Sequence, residues 1–192
     1  MLKHDTPPQA QWLKRTFSLV DDSALDYYYN LAFHICPDSK SRYFQYKILH
    51  NILGLNVKLK QMKIKADDRC DFCHNCVETR VHLFFECSLV SLMWQEFEKW
   101  WYGKCNENIK LSARDIILGV ESGTNYRQLL NICILDIKMY LFDCKYNEKS
   151  PILDGGIHKF MRRQRIEHII HRKRLTLAKF YSRWSVLLLA DL

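Results

Sequence analysis

Three cysteines and one histidine between residues 70 and 87 constrain the fold of this chain more than any other feature. Their spacing is C-x2-C-x8-H-x4-C, formed by Cys70, Cys73, His82 and Cys87. A C-x2-C pair in a tight turn brings two thiolates together, and a His and a Cys with four residues between them are expected to share one helical face. This mixed sulfur and nitrogen set suits Zn²⁺. The spacing therefore predicts a structural zinc site with four protein ligands and no open position for water.

Two alternatives to this ligand set stay open from the residues alone. Cys73 and Cys76 form a second C-x2-C pair, so Cys76 or His74 could replace one ligand. The four residues could also be buried thiols and a core histidine without any metal. Metal binding is favoured because the loop is too polar to fold by apolar burial and needs a cross-link such as a metal ion. Its charged residues are Asp67, Asp68, Arg69 and Asp71.

The other four cysteines are scattered among apolar residues, which indicates buried thiols rather than disulfides; they are Cys36, Cys105, Cys133 and Cys144. No apolar stretch reaches the roughly 20 residues that a membrane helix needs, and the first residues do not resemble a secretory signal. We therefore expect an intracellular protein, in the nucleus or the cytoplasm, with reduced thiols and no membrane partner.

The net charge of +8 is concentrated at the C-terminal end. Residues 151–192 contain nine basic and three acidic residues, so most of the excess lies there. Such a concentration indicates a polyanionic partner, with nucleic acid as the first expectation.

Apolar periodicity predicts an all-α (or mostly α) fold, namely a compact multi-helix domain with a small structural zinc loop. We expect an irregular lead-in over 1–37, a zinc-binding helical domain over 38–120, and a C-terminal helical pair with a basic tail over 121–192. In detail, a helix is expected from Lys40 to Leu53 with Gly54 as its C-cap, and Asn56 is expected to cap the next helix. Gly155-Gly156 is expected to break the chain.

One continuous helix is expected from Ile157 to Trp184. On a helical wheel it separates an apolar side, expected to be buried, from a basic side. The apolar side comprises Ile166, Ile169, Ile170, Leu177, Phe180, Tyr181 and Trp184. The basic side comprises Arg165, Arg172, Lys179 and Arg183, which could meet phosphate groups.

Several runs around the cysteines resemble a known family. They are the run 44–53 (FQYKILHNIL), Cys70-Asp71-Phe72-Cys73, the run 82–87 (HLFFEC) and Trp94. Together they resemble the zinc-binding C-terminal domain of the reverse transcriptase of LINE-type non-LTR retrotransposons, most closely over residues 27–102. The resemblance implies that Cys70, Cys73, His82 and Cys87 are the zinc ligands. It also implies a C-terminal nucleic-acid-binding module and, as a further partner, the polymerase core of a longer polyprotein.

We therefore expect a zinc-stabilised module that binds RNA or single strands and is not an enzyme by itself. No small-molecule substrate is expected, and Asp67-Asp68 lacks the apolar hairpin of a polymerase carboxylate pair. Basic residues flanking the zinc loop are candidate nucleic-acid ligands; they are Arg42, Lys47, Lys58, Lys60 and Lys63. Tyr43 and Tyr46 could stack on bases, but half-buried helix positions are the favoured interpretation. The alternative is a zinc-stapled protein-interaction scaffold, with Trp100-Trp101-Tyr102 as its exposed apolar patch.

Overall fold

A computed structural model describes residues 8–18, 22–36, 38–121 and 123–188. Within these ranges the fold is all-helical, as predicted, and contains no strand. The α-helices are α1 (Pro8–Phe17), α2 (Asp22–Ile35), α3 (Ser39–Leu49), α4 (Asn56–Gln61), α5 (Ser88–Cys105), α6 (Ala113–Leu118), α7 (Asn125–Tyr146), α8 (Leu153–Lys173) and α9 (Leu177–Leu188). A π-helical turn, His82–Glu86, precedes α5. No helix in the described ranges is long and apolar enough to cross a membrane.

The prediction of an irregular lead-in over 1–37 is wrong where the structure describes it, because α1 and α2 occupy most of that segment. Residues 1–7, 19–21 and 37 lie outside the described residues. Pro8 is the first residue of α1. A backbone N–H at this position would have no intrahelical acceptor, so its absence in proline costs no hydrogen bond. Leu13, Leu25 and Leu31 are almost fully buried, so this segment folds by packing against the rest of the chain.

One apolar cluster connects the helices, and α7 runs through its middle. Residues 129–139 of α7 are all buried, and Trp101 and Trp184 pack in the same cluster without exposed surface. Helices from all three predicted segments contribute side chains to this cluster. The division into three domains itself stays a prediction.

The glycine pair Gly155-Gly156 lies inside α8, so the predicted break is wrong. An added Cβ on Gly155 would lie 2.3 Å from the ring of Tyr140, and one on Gly156 would lie 3.1 Å from Ile137. The two glycines therefore let α8 approach α7 closely.

The C-terminal segment forms two helices instead of one. The chain turns at 174–176, where Leu175 has a left-handed φ of 55°. Rings of Phe160 and Trp184 lie 5.1 Å apart, and those of His168 and Phe180 lie 5.0 Å apart, so α9 folds back antiparallel on α8.

This reversal changes which side of α8 is buried. Gln164 and Glu167 are buried, whereas Ile166, Ile169 and Ile170 are 48%, 53% and 40% exposed. On α9, Phe180 and Trp184 are buried as predicted, but Tyr181 is exposed. The predicted apolar face is therefore wrong for the isoleucines, because α9 covers the neighbouring face of α8.

Helix α3 is shorter than predicted. It ends at Leu49 with His50 as C-cap, so Gly54 caps nothing. The N-cap of α4 is Leu55, and the Asn56 side chain turns into a buried polar network instead.

Candidate metal centre

Two of the predicted ligands come from a tight loop. The backbone N–H of Cys70 donates to the carbonyl of Cys76 at 2.8 Å, and that of His74 donates to the carbonyl of Cys70 at 2.9 Å. The Phe72 N–H also points at Cys70 Sγ, at 3.4 Å. These bonds fold the loop back on itself and turn Cys70 and Cys73 toward the same point.

The other two ligands come from the π-helical turn. His82 and Cys87 are five positions apart, and in an α-helix they would point about 140° away from each other. The π-turn reduces this divergence, since the Cys87 N–H donates to the carbonyl of His82 at 2.8 Å. The expectation that a regular helix places them on one face is therefore corrected. Thr79 Oγ1 accepts from the His82 N–H at 3.0 Å and anchors the start of the turn.

The four ligand atoms converge with the dimensions of a zinc site. All lie within 4.8 Å of one another. Cys70 Sγ and Cys87 Sγ are 3.9 Å apart, and Cys73 Sγ lies 3.3 Å from His82 Nε2. Tetrahedral zinc with usual bond lengths requires about 3.8 Å between two sulfurs and about 3.6 Å between sulfur and nitrogen. The sulfur separation is too long for a disulfide, which needs about 2.05 Å.

Burial and donor chemistry also fit a structural zinc. Cys70 and Cys87 have no exposed surface and His82 has little, while Cys73 is half-buried. The Cys70 thiol donates to Cys87, and this hydrogen bond raises the pKa of Cys70 and lowers the pKa of Cys87. Zinc takes both sulfurs as thiolates. With four protein donors, this donor set predicts a closed site that stabilises the fold.

The alternative ligands lie outside this cluster. Cys76 and His74 are exposed, and neither belongs to the group of converging donors found among the described residues. Cys76 contributes its backbone carbonyl to the loop instead of its thiol.

A buried polar network, which the sequence did not predict, connects the zinc loop to the end of α7. Lys145 Nζ contacts Asp71 and lies 2.8 Å from Glu78 Oε1, and it donates to Asn56 Oδ1 at 2.7 Å. Lys65 binds the other oxygen of Asp71 at 2.6 Å. Glu78 is fully buried and Lys145 nearly so. The available signal was a lysine at a position that continues the buried face of α7.

The basic residues beside the zinc loop are mostly engaged within the chain. Arg42 donates to the carbonyl of Cys36 at 2.6 Å, and Lys58 donates to that of Asn51 at 3.1 Å. Lys60 pairs with Asp68 at 3.1 Å. Lys47 Nζ lies 4.4 Å from the centre of the Tyr43 ring. Lys63 is exposed and has no ion pair with any described residue.

In the tail, three of the four predicted basic residues are exposed. Arg165, Arg172 and Lys179 form no ion pair within the described part of the chain, whereas Arg183 lies 3.3 Å from Glu167. The predicted single stripe is divided between α8 and α9. Further exposed bases that the prediction omitted are Arg162, Lys173 and Arg174.

The aromatic residues differ in part from the predictions. Trp101 is fully buried, and its indole N–H donates to the Tyr126 hydroxyl at 2.6 Å, so 100–102 is not an exposed apolar patch. Tyr43 and Tyr46 are 57% and 42% exposed, so about half of each side chain is open to solvent.

Comparison with known proteins bears directly on this site. Residues 14–94 match the family described as zinc-binding in reverse transcriptase, and the match includes all four ligands. It confirms the predicted resemblance at the level of that family. No curated protein matches the chain.

Proposed function

We propose, on the premise that residues 14–94 match the zinc-binding domain of reverse transcriptases, that this chain is a non-catalytic nucleic-acid-binding module. In this proposal it serves a LINE-type non-LTR retrotransposon reverse-transcriptase polyprotein, as a C-terminal module beside the polymerase core. RNA or single-stranded DNA is the proposed ligand, and the nucleus or the cytoplasm is the proposed location.

The observation that carries the proposal is the set of exposed cations on α8 and α9. Lys159 and Arg163 pair with carboxylates of α7, and Arg183 of α9 pairs with Glu167 of α8. The remaining bases of the segment point to solvent without ion pairs to described residues; they are Arg162, Arg165, Arg172, Lys173, Arg174 and Lys179. An array of this kind binds phosphates by releasing counterions.

The zinc has a supporting role in this proposal. Its four protein ligands favour a structural ion, which supports a role in binding over a role in catalysis. Through Asp71 and Glu78 the loop is tied to Lys145 on α7, the helix against which α8 packs. The zinc loop thus helps to position the elements that carry the exposed cations.

Salt-dependent binding to RNA, single-stranded DNA and duplex DNA tests the proposal. Affinity should fall steeply as salt rises, and the triple change Arg165→Glu, Arg172→Glu, Lys179→Glu should weaken binding and flatten the salt dependence. Arg183 is left intact because it pairs with Glu167. The matched control reverses three exposed lysines elsewhere, Lys99→Glu, Lys110→Glu and Lys149→Glu, with a comparable change in net charge.

Equal losses of nucleic-acid affinity in the two triple variants would show that only net charge matters. The basic residues of α8 and α9 would then have no specific role in binding. Absence of binding by the zinc-loaded wild type at low salt would overturn the proposal.

A second candidate function, the protein-interaction scaffold, is favoured by one observation. Ile166, Ile169 and Ile170 form an exposed apolar strip on α8, flanked by Arg162, Arg165 and Arg172. Exposed strips of this kind mark interaction surfaces. The flanking cations favour a polypeptide partner whose apolar side chains alternate with carboxylates, such as a surface of the polymerase core. Ile166→Ser, Ile170→Ser should abolish capture of that core if this function holds, and leave RNA binding unchanged.

A further inference from the structure

The outer side of α2 and α3 presents a ladder of aromatic rings and cations. Rings of Tyr46 and His50 lie 3.9 Å apart, and the ring of Tyr29 lies 5.0 Å from that of His50. One turn away, the Arg42 guanidinium lies 5.5 Å from the centre of the Phe33 ring. On α3 the positions 42, 46 and 50 are four apart, as 29 and 33 are on α2, so the ladder follows the two helices.

Two rings of this surface are exposed to solvent and nearly parallel. Tyr43 and Tyr46 are exposed, their planes differ by 12° and their centres are 6.3 Å apart. Lys47 lies over the Tyr43 ring at 4.4 Å. Burial lowers the pKa of His50, so its imidazole is neutral near pH 7 and can stack against Tyr46 without a charge. Phe33 adds another ring that is 55% exposed.

Packing of the fold does not account for these exposed rings. The apolar contacts of the inward side of α3 are made by Phe44, Ile48 and Leu49, which are buried. Exposed aromatic rings interleaved with cations are typical of surfaces that bind single-stranded nucleic acid, since bases stack on the rings and phosphates meet the cations. The neighbouring carboxylates do not oppose this, because Asp38 is engaged by Arg163 and Asp26 lies at the far end, beside Tyr29.

We infer that Tyr43 and Tyr46 form a base-stacking platform for unpaired nucleotides, with the Lys47 ammonium beside it for the phosphates. The inference rests on the proposed nucleic-acid binding and adds where and how unpaired bases are held. Stacking requires unpaired bases, so it favours single strands over duplexes. Every base has a face that can stack, so no particular sequence is required.

The test compares two fluorescent probes of equal length and charge, a short oligo(U) RNA and an abasic ribose-phosphate chain. Wild type should bind oligo(U) about ten-fold or more tightly than the abasic chain, as expected for one or two stacked bases. Tyr43→Ala, Tyr46→Ala should remove that preference without changing the salt dependence, because the cations remain. Tyr43→Phe, Tyr46→Phe should retain the preference, since the rings remain.

The control variant is Tyr102→Ala, Tyr181→Ala, which removes two tyrosines of similar exposure on α5 and α9 and should bind like wild type. Zinc content and thermal unfolding of the alanine variants should match wild type, because both rings of the platform are at the surface.

Equal binding of both probes by wild type would overturn the stacking inference and leave cationic binding intact. An unchanged preference for oligo(U) over the abasic chain in the variant Tyr43→Ala, Tyr46→Ala would also overturn the stacking inference. Failure of wild type to bind either probe would overturn the proposed function itself. The comparison of probes uses wild type alone, so equal binding would overturn the inference even if a variant fails to fold.

Discussion

The backbone N–H of Cys87 donates to the carbonyl of His82, and this bond spans five residues where an α-helix would span four. The π-turn is the device that lets an H-x4-C spacing supply two ligands to one metal. In a regular α-helix the same two side chains would diverge by about 140°. The geometry of the site therefore depends on this local departure from helical structure as much as on the identity of the ligands.

Loss of the hydroxyl that starts the π-turn should weaken the site. Thr79 Oγ1 accepts from the His82 N–H, so Thr79→Val should cost about 1 kcal/mol of stability, the usual value of a side-chain cap. Thr79→Ser keeps the oxygen and should cost less. Chemical denaturation of the zinc-loaded proteins measures both, and equal stability of the valine variant and wild type would contradict the assigned role.

Removal of the buried cation beneath the zinc loop should be severe. Lys145→Met leaves Glu78 buried without its cation, which should cost about 3–5 kcal/mol. Lys65 binds the same Asp71, but its side chain is 40% exposed, and Lys65→Met should cost less than about 1 kcal/mol. Denaturation curves of the two variants test this difference. Similar losses would show that Lys145 is no more important than a surface partner.

One buried lysine, Lys138, should contribute stability that increases as the pH rises in alkaline solution. Lys138 donates to Gln45 Oε1 at 2.7 Å and has no carboxylate partner among the described residues, and burial lowers its pKa from 10.5 to about 7. Between these values the unfolded chain binds a proton that the folded chain does not, so raising the pH favours the fold.

Through Lys138 the free energy of unfolding rises by at most about 1.4 kcal/mol per pH unit. This dependence is absent below about pH 7, where Lys138 is protonated in both the folded and the unfolded state. Lys138→Met should remove it, while the zinc ligands contribute equally to both proteins. The measurement is the difference in unfolding free energy between wild type and variant from pH 7 to pH 10. A difference that does not change with pH would contradict the assignment.

The sequence alone predicted the four converging donors and the helical class, because ligand spacing and apolar periodicity are local properties. It could not identify the reversal between α8 and α9. That turn contains neither Gly nor Pro, and Leu175 adopts a left-handed conformation that its residue type does not predict. The isoleucines of α8 were therefore assigned to the wrong environment.

Buried charges escaped the sequence analysis for a related reason. Lys138 and Lys145 lie on the buried side of α7, where their partners come from residues far away in the chain, such as Gln45 and Glu78. Apolar periodicity carries no information about such partners. The glycine pair of α8 was misread in the same way, since its purpose is to make room for Tyr140 on another helix.

A methyl group at Gly155 should destabilise the protein although alanine favours helices. The new Cβ would lie 2.3 Å from the Tyr140 ring, and relief of such a clash costs about 1–3 kcal/mol. The matched control is Gly103→Ala in α5, where nothing lies within 4 Å of the added atom. That change should be neutral or stabilise by up to about 1 kcal/mol. Thermal unfolding of both variants measures the contrast, and a neutral Gly155→Ala would show that α7 and α8 pack less closely than described.

The zinc content of the purified chain, measured together with its unfolding before and after chelation, tests the central claim most directly. The account predicts one zinc ion per chain and a large loss of thermal stability when the metal is removed. Cys70→Ser, Cys73→Ser should lose both the metal and the stability, whereas Cys76→Ser should keep both because its thiol lies outside the cluster. A metal-free protein with unchanged unfolding, or a Cys76→Ser protein that loses its zinc, would contradict the account.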